Sequence, residues 1–265
     1  MMQYYPIPDP LKPYVESIWS FESPDRLDYC EQAAVIPTGR WILIWNYQGQ
    51  YEHIIQNTSY HHPLYDLHLV GQHNSKIELK GTEPVHSIGI SFKPYGYYAI
   101  EGKELPLLVN KVQSLSKRNL DGKELLASFT GNLHEAVAEI TGLIIERIRY
   151  TPDQRVVEII NQINACNGNI LIKELFGHIP GSQRHLNKLF KAQVGITPKE
   201  YVSIIRFHEI YNRYIRNEER ENKSELYDFF YDESHFIMNF RKILLTKPHQ
   251  FMKKVNKLGN QFIRK

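Results

Sequence analysis

The sequence predicts an α+β chain. A β-rich, barrel-like N-terminal domain precedes a helical connector and an all-α C-terminal half built of two helix-turn-helix units. Three observations predict this. Short runs of Ile, Leu, Trp, Tyr and Val, punctuated by Gly, Pro or Asn, fill the first hundred residues, the pattern of regularly spaced short strands. Helical periodicity replaces it from about Leu105 and persists to the end. The C-terminal half also repeats itself at a spacing of fifty residues.

Taken in order, "AAVIPTGRWILIWNY", "SYHHPLYDLHLVGQH", "SKIELKG" and "VHSIGISFKP" each read as short strands, placing the first domain at 1–112. "DGKELLASF" and "NLHEAVAEITGLIIERIRY" then turn helical, with Ala136, Ile140, Leu143, Ile144 and Arg147 on one side. They form a connector over 113–152, a candidate dimerisation element. Thr151 is placed to cap the next helix and Pro152 to open it, so the third region runs over 153–265. Its expected helices are Asp153–Asn167, Ile170–Ile179, Ser182–Gln193, Pro198–Asn217, Ser224–Phe230, Glu233–Leu244 and Pro248–Leu258.

The repeat aligns His185-Leu186 with His235-Phe236, Phe190-Lys191 with Phe240-Arg241, Pro198 with Pro248 and Tyr201 with Phe251. Two units are too few for a solenoid, so duplicated helix-turn-helix modules are expected. In the first unit Ile179-Pro180-Gly181 is a turn and Ser182 caps the helix that follows. Leu186, Leu189 and Phe190 cluster on one side of it, with Arg184, Asn187, Lys188 and Lys191 almost opposite. Major-groove readout uses Arg and Lys for guanine and Asn or Gln for adenine. No acid stands between Ser182 and Gln193 to repel phosphates, whereas an ordinary solvated helix face carries Glu as well. Gly195 ends the helix, and Thr197-Pro198-Lys199-Glu200 restarts the chain as a capping box. In the second unit Asp232 caps a helix with Phe236, Phe240 and Ile243 inward and Ser234, Met238 and Arg241 outward. Ile237 and Met238 replace Asn187 and Lys188 there, so Arg241, Lys242 and the later Lys247, Lys253 and Lys254 are left to hold phosphates.

Charge agrees with this division. Residues 151–265 hold 19 Lys+Arg against 12 Asp+Glu, a net +7, while residues 1–150 hold 13 against 17, a net −4. Only the C-terminal half is therefore expected to meet a polyanion. No apolar run approaches bilayer length, and the N-terminus lacks the pattern of a secretion signal. Cys30 and Cys166 form no metal or redox spacing. A cytoplasmic protein without membrane contact is expected.

The stretches "IKELFGHIPGSQRHLNKLFKAQVGITPKEYVSIIRF" and "LYDFFYDESHFIMNFRKILLTKP" resemble the DNA-binding domain of AraC/XylS-type bacterial transcription regulators. The resemblance covers roughly Val156 to Val255. It implies two helix-turn-helix units joined by a long helix carrying Arg206, with both recognition helices facing successive major grooves of double-stranded DNA. Carried over by position, it implies base contacts at Arg184, Asn187 and Lys188, with Gln183 beside them, and in the second unit at Met238 and its neighbours. Together with the outward faces of the two helices, the expected DNA-binding set is Ser182, Gln183, Arg184, Asn187, Lys188, Lys191, Ser234, Met238, Arg241 and Lys242. The sequence departs from the family at Phe176 and Phe229, where Ala and Gly are usual, at Pro180-Gly181 in the turn, and at Leu245. "LKPYVESIWSFE", "VIPTGRWILIWNY" and "IGISFKPYGYYAI" more weakly resemble the β-barrel sensor regions of some members. That implies a sensory or dimerising role but names no ligand. The partner expectations are a small-molecule effector in the N-terminal domain, a homodimer, and RNA polymerase if the protein is an activator.

Two rival readings were weighed. In the first, His61, His62, His68 and His73 make the β domain a metal- or small-molecule-binding module, enzymatic in its strongest form. His68 and His73 are five residues apart, so on one continuous strand they face opposite sides, and no Glu completes a ligand set. No nucleophile setting accompanies them, so neither metal, cofactor nor enzymatic activity is expected. In the second, the helical half binds another protein, which the polar face of the first recognition helix disfavours. Trp19, Trp41 and Trp45 are expected in the core rather than around a ligand.

Overall fold

A computed structural model describes residues 2–23, 34–103, 105–115, 129–215, 238 and 241–244. Ten strands are present among them: β1 (Met2–Tyr5), β2 (Val15–Glu22), β3 (Ala34–Val35), β4 (Trp41–Gln48), β5 (Tyr51–Ile55), β6 (Thr58–His62), β7 (Leu67–Val70), β8 (Ile77–Lys80), β9 (His86–Phe92) and β10 (Val112–Ser114). They form a six-stranded sheet, β1-β2-β9-β4-β7-β10, and a four-stranded sheet, β3-β8-β5-β6, antiparallel throughout. The β domain is thus a pair of sheets sharing a core, not a closed barrel. Its last strand ends at Ser114, two residues past the expected limit of 112.

The sequence of β4, Trp41-Ile42-Leu43-Ile44-Trp45, reflects burial on both faces. Successive side chains point to opposite sides of a strand. Trp41, Leu43 and Trp45 enter one core with Leu67, Leu69, Ile88, Ile90 and Phe92. Ile42 and Ile44 enter the other with Trp19, Phe21 and Val70, facing Tyr51, Ile55 and Ile77 of the smaller sheet. Gly89 sits between Trp19 and Ile44 in the register. A Cβ there would lie 2.1 Å from Trp19 Cζ2, so the indole occupies the side-chain space of position 89.

The connector helix spans Leu133–Ile145 and is capped by Asn132, whose side chain accepts from His134 N–H. Ala136, Val137, Ile140 and Ile144 lie in the same core as Trp41 and Trp45. The apolar side of this helix therefore packs within the chain's own β domain. "DGKELLASF" lies outside the described residues.

The C-terminal helices are Gln154–Ala165, Ile172–Leu175, Gln183–Val194 and Pro198–Ile215. The first begins later than expected. Asp153 is its N-cap rather than Thr151: its carboxylate accepts from Arg155 N–H at 2.9 Å and pairs with the Arg155 guanidinium. Carboxylates are the better caps and favour the positive helix end. The second helix is a single turn, because Gly177 and Pro180 stop the chain where Ile179 was expected to continue it. Ser224–Phe230, Pro248–Leu258, Asp232 and most of Glu233–Leu244 lie outside the described residues. Met238 and Arg241–Leu244 are helical, as read from the repeat.

Val156, Ile159, Ile163, Leu186, Phe190, Val194 and Tyr201 form the core of the first unit, and Phe176 and the β domain's Tyr95 pack in it too. The two domains meet closely. Gly195 (φ +93°) abuts Trp41, where a Cβ would lie 2.8 Å from Cζ2. Gly39 (φ +73°) abuts Tyr201, where a Cβ would lie 2.6 Å from Cε2. The backbone N–H of Lys76 also donates to the carbonyl of Ile243 at 2.7 Å.

Gly89→Ala should destabilise the chain by about 1–3 kcal/mol through overpacking against Trp19. Urea unfolding followed by tryptophan fluorescence measures this, and an unchanged midpoint would refute the close packing at that site.

Candidate functional site

The helix Gln183–Val194 is built as a two-sided element. Ser182 caps it, its hydroxyl accepting from His185 N–H at 3.3 Å. Gly195 closes it, its N–H donating to the Lys191 carbonyl. Leu186, Phe190 and Val194 are fully buried, and Leu189 partly so. Gln193 is buried as well: its side-chain oxygen accepts from Asp153 N–H at 2.9 Å, tying this helix to the start of Gln154–Ala165.

The opposite face is open. Ser182, Gln183, Arg184, Lys188 and Lys191 are exposed and Asn187 is half-buried. The side chains of Arg184, Lys188 and Lys191 make no hydrogen bond or ion pair among the described residues, so their donors are available. Asn187 Nδ2 donates to the Gln183 carbonyl at 2.8 Å, leaving its side-chain oxygen outward. His185 is exposed. Of the second-unit residues, Met238 is 67% exposed and Arg241 and Lys242 are exposed on the helix, while Ser234 lies outside the described residues.

The restart after the reading helix follows the capping box read from the sequence. Thr197 N–H donates to Glu200 Oε2 at 2.8 Å, and Glu200 N–H donates to Thr197 Oγ1 at 3.2 Å. Arg206, on the long helix, points inward. Its Nε and NH2 donate to the Gly168 carbonyl at 3.1 and 2.8 Å, holding the turn after Ala165 against that helix. Arg206 is therefore a staple between helices.

A second site, in the β domain, was only partly legible. A cavity of about 40 Å³ lies between the sheets, lined by Trp19, Phe21, Ile42, Ile44, Tyr51, Val70 and others, with His53 and His73 among its few polar groups. Trp19 thus lines the cavity as well as the core, while Trp41 and Trp45 are core alone. That volume exceeds the 10–15 Å³ or so that one water needs.

Beside the cavity three histidines converge. His53, His62 and His68 are buried, and each offers a ring nitrogen within 4.8 Å of the others. His53 Nδ1 lies 3.0 Å from His62 Nε2, and the His62 and His68 rings stack at 3.7 Å. His62 Nδ1 lies 2.8 Å from Asp66 Oδ2, His68 Nδ1 3.1 Å from the same oxygen but off the line of a hydrogen bond, and Tyr51 Oη 2.9 Å from His68 Nε2. Burial holds His53 well below its ordinary pKa, with the charges of His62 and His68 adding to the effect, and holds His62 down at about 4, with the charge of His68 adding there. Burial would raise Asp66, but its partners His62, His68 and Ser114 outweigh that and hold it ionised.

His68 and His73 face opposite sides only if one continuous strand carries both. The strand β7 ends at Val70, so His73 is free of its alternation. His73 stands apart from the cluster, with Nδ1 2.8 Å from the Ser75 carbonyl, and His61 is exposed beside Glu52. His53 was missed. The signal was the two-residue turn Gln56-Asn57, both at positive φ, which pairs β5 with β6. That register sets Tyr51 opposite His62 and His53 opposite Tyr60, so His53 and His62 are diagonal neighbours on one face.

Comparison with known proteins adds the following. Residues 3–114 match the model of a family described as "Domain of unknown function", DUF6597, and that span ends on the last residue of β10. No curated protein matches. Among solved structures the chain is similar to ToxT from Vibrio cholerae O395, at 14% identity over 91% of this chain and 98% of that one, TM-score 0.47. It is similar to unsaturated fatty acid bound ToxT from Vibrio cholerae strain SCE256, at 12% over 90% and 95%, TM-score 0.45. It is also similar to the AraC-like transcriptional activator CuxR, at 16% over 75% of each chain, TM-score 0.28. Among the described residues no helix is long and apolar enough to cross a membrane.

His73 gives a pH prediction. Burial lowers its pKa from 6.5 to about 4, its bond to Ser75 only partly opposing. Between those values the unfolded chain takes up a proton that the folded chain refuses, so stability falls as pH falls, by up to about 1.4 kcal/mol per unit. The stability advantage of the native chain over His73→Gln should therefore shrink between pH 7 and pH 4.5. Denaturant titrations across that range measure it, and a constant difference would contradict the assignment.

Proposed function

We propose that the chain is a sequence-specific DNA-binding transcription regulator of the AraC/XylS type, reading the major groove mainly through its first helix-turn-helix. Its β-rich domain, through Ser114, serves as the regulatory domain. The observation that carries this reading is the helix Gln183–Val194. One side is locked into a core by Leu186, Phe190 and Val194, and the other presents Arg184, Lys188 and Lys191 with no acidic partner among the described residues. A buried face fixes the helix, and free guanidinium and ammonium donors with Asn187 supply base-reading chemistry. In the second unit exposed Met238 stands where the first unit has Lys188, which supports backbone holding by Arg241 and Lys242 rather than base reading.

The cavity between the sheets supports control by a small apolar ligand. Ile42 and Ile44 line it, while Trp41 on the same strand touches Gly195 at the end of the reading helix. Filling the cavity would bear on the strand that seats the DNA-binding unit.

Selection from random DNA with the purified chain tests the reading, and enrichment of a short motif is expected. Arg184→Ala or Asn187→Ala should cost about 1–3 kcal/mol on that motif and relax preference at one position. Lys253→Ala, in the C-terminal segment outside the described residues, should weaken binding to all sequences alike. Failure to enrich any motif across salt concentrations would instead favour a protein-interaction role for the helical half.

A further inference from the structure

We propose that His53, His62 and His68 bind one divalent first-row transition-metal ion between the two sheets of the β domain, with Asp66 orienting two of the rings. The three residues come from β5, β6 and β7, so the site bridges both sheets. Their ring nitrogens lie within 4.8 Å of one another. A tetrahedral ion with bonds of about 2.0–2.1 Å holds its ligand nitrogens roughly 3.3 Å apart, so binding requires the stacked His62 and His68 rings to tilt until both aim at one point.

The surroundings match such a site. Histidines that ligate metals usually present their second nitrogen to a carboxylate or carbonyl. Asp66 Oδ2 lies 2.8 Å from His62 Nδ1 and 3.1 Å from His68 Nδ1, on the same edge of both stacked rings. Nε2 of each ring is then turned from the carboxylate. His62 Nε2 faces His53 Nδ1 at 3.0 Å, and His68 Nε2 faces the Tyr51 hydroxyl at 2.9 Å. Ser114, on β10, donates to the other Asp66 oxygen at 2.7 Å and fixes the carboxylate in turn. The single carboxylate also places negative charge next to the ion in a region otherwise shut from water.

Three imidazoles suit zinc, copper, iron or nickel and are poor ligands for calcium or magnesium. Three protein ligands also leave a coordination position open, unlike the four of a closed structural site. Tyr51 and His53 belong both to the cluster and to the cavity wall, so that position is directed to the cavity. A small molecule in the cavity with a carboxylate or other donor atom would coordinate there. A hydrogen-bonded histidine network without an ion is the competing account, and metal titration separates the two.

The test reads metal binding alone, so it stands or falls separately from DNA recognition. The full chain, stripped with chelator, is titrated with Zn²⁺ by calorimetry and with Co²⁺ and Cu²⁺ by visible and paramagnetic resonance spectroscopy. One ion per chain is expected, with imidazole nitrogens in the Cu²⁺ spectrum. His62→Gln or His68→Gln should weaken binding at least 100-fold, and Asp66→Asn about 10–100-fold. His61→Gln, at an exposed neighbour, should leave it unchanged. If the histidine variants fail to fold, the Cu²⁺ spectrum of the native chain decides, because it counts nitrogen ligands without any substitution. Absence of binding at micromolar Zn²⁺ by the folded chain would overturn the proposal. So would binding lost in His61→Gln but kept in His62→Gln.

Discussion

Burial of the six-stranded sheet on both faces is the constraint from which the rest of the structure follows. Trp41, Leu43 and Trp45 point one way and Ile42 and Ile44 the other, and all five are buried. A sheet so constituted cannot stand in water. The smaller sheet covers one face and the connector helix covers the other. Burying a tryptophan removes roughly 150–250 Å² from water, a gross gain of about 4–6 kcal/mol at ~25 cal/mol/Å². That is an upper bound, because the unfolded chain is already partly collapsed. Trp41 and Trp45, both fully buried, thus explain why the connector packs on its own domain before it can serve any neighbour.

The same arrangement separates two kinds of chemistry. The C-terminal unit keeps its cations outward on a helix whose only tasks are to be rigid and positive. The β domain keeps its titratable groups inward, where burial holds His53 and His62 neutral and their partners hold Asp66 charged. A solvent-facing set of donors suits a polyanion that carries its own counterions. An enclosed set of neutral nitrogens beside an apolar cavity suits a small ligand or an ion.

How far the sequence showed this depended on range. Local rules worked where one element decided the outcome. The Thr197–Glu200 box, the Ser182 cap and the two faces of Gln183–Val194 follow from spacing alone. The connector helix was legible as a helix, yet the destination of its apolar face was not, since periodicity cannot say which surface a stripe meets. Asp153 displaced Thr151 as a cap because both were acceptable and side-chain chemistry chose between them. The histidine cluster was hidden for another reason. It joins three strands from two sheets, and its key pairing depends on the Gln56-Asn57 turn, which lacks the usual Asn-Gly signature. Arg206 was visible as a residue of the long helix, but its bond to Gly168 required the tertiary fold.

One feature of β4 carries a thermodynamic consequence. The strand is a wall one residue thick: Ile42 and Ile44 line the cavity, and Trp41 stands against Gly195. Any displacement that an occupant of the cavity imposes on this wall is felt at the end of the helix Gln183–Val194. Linkage requires the reverse in equal measure. An occupant that raises affinity for DNA tenfold must itself be held tenfold more tightly on DNA, a coupling of about 1.4 kcal/mol. Under the proposed function, specific DNA is then an effector of the β domain, and its amount sets how strongly the cavity is filled.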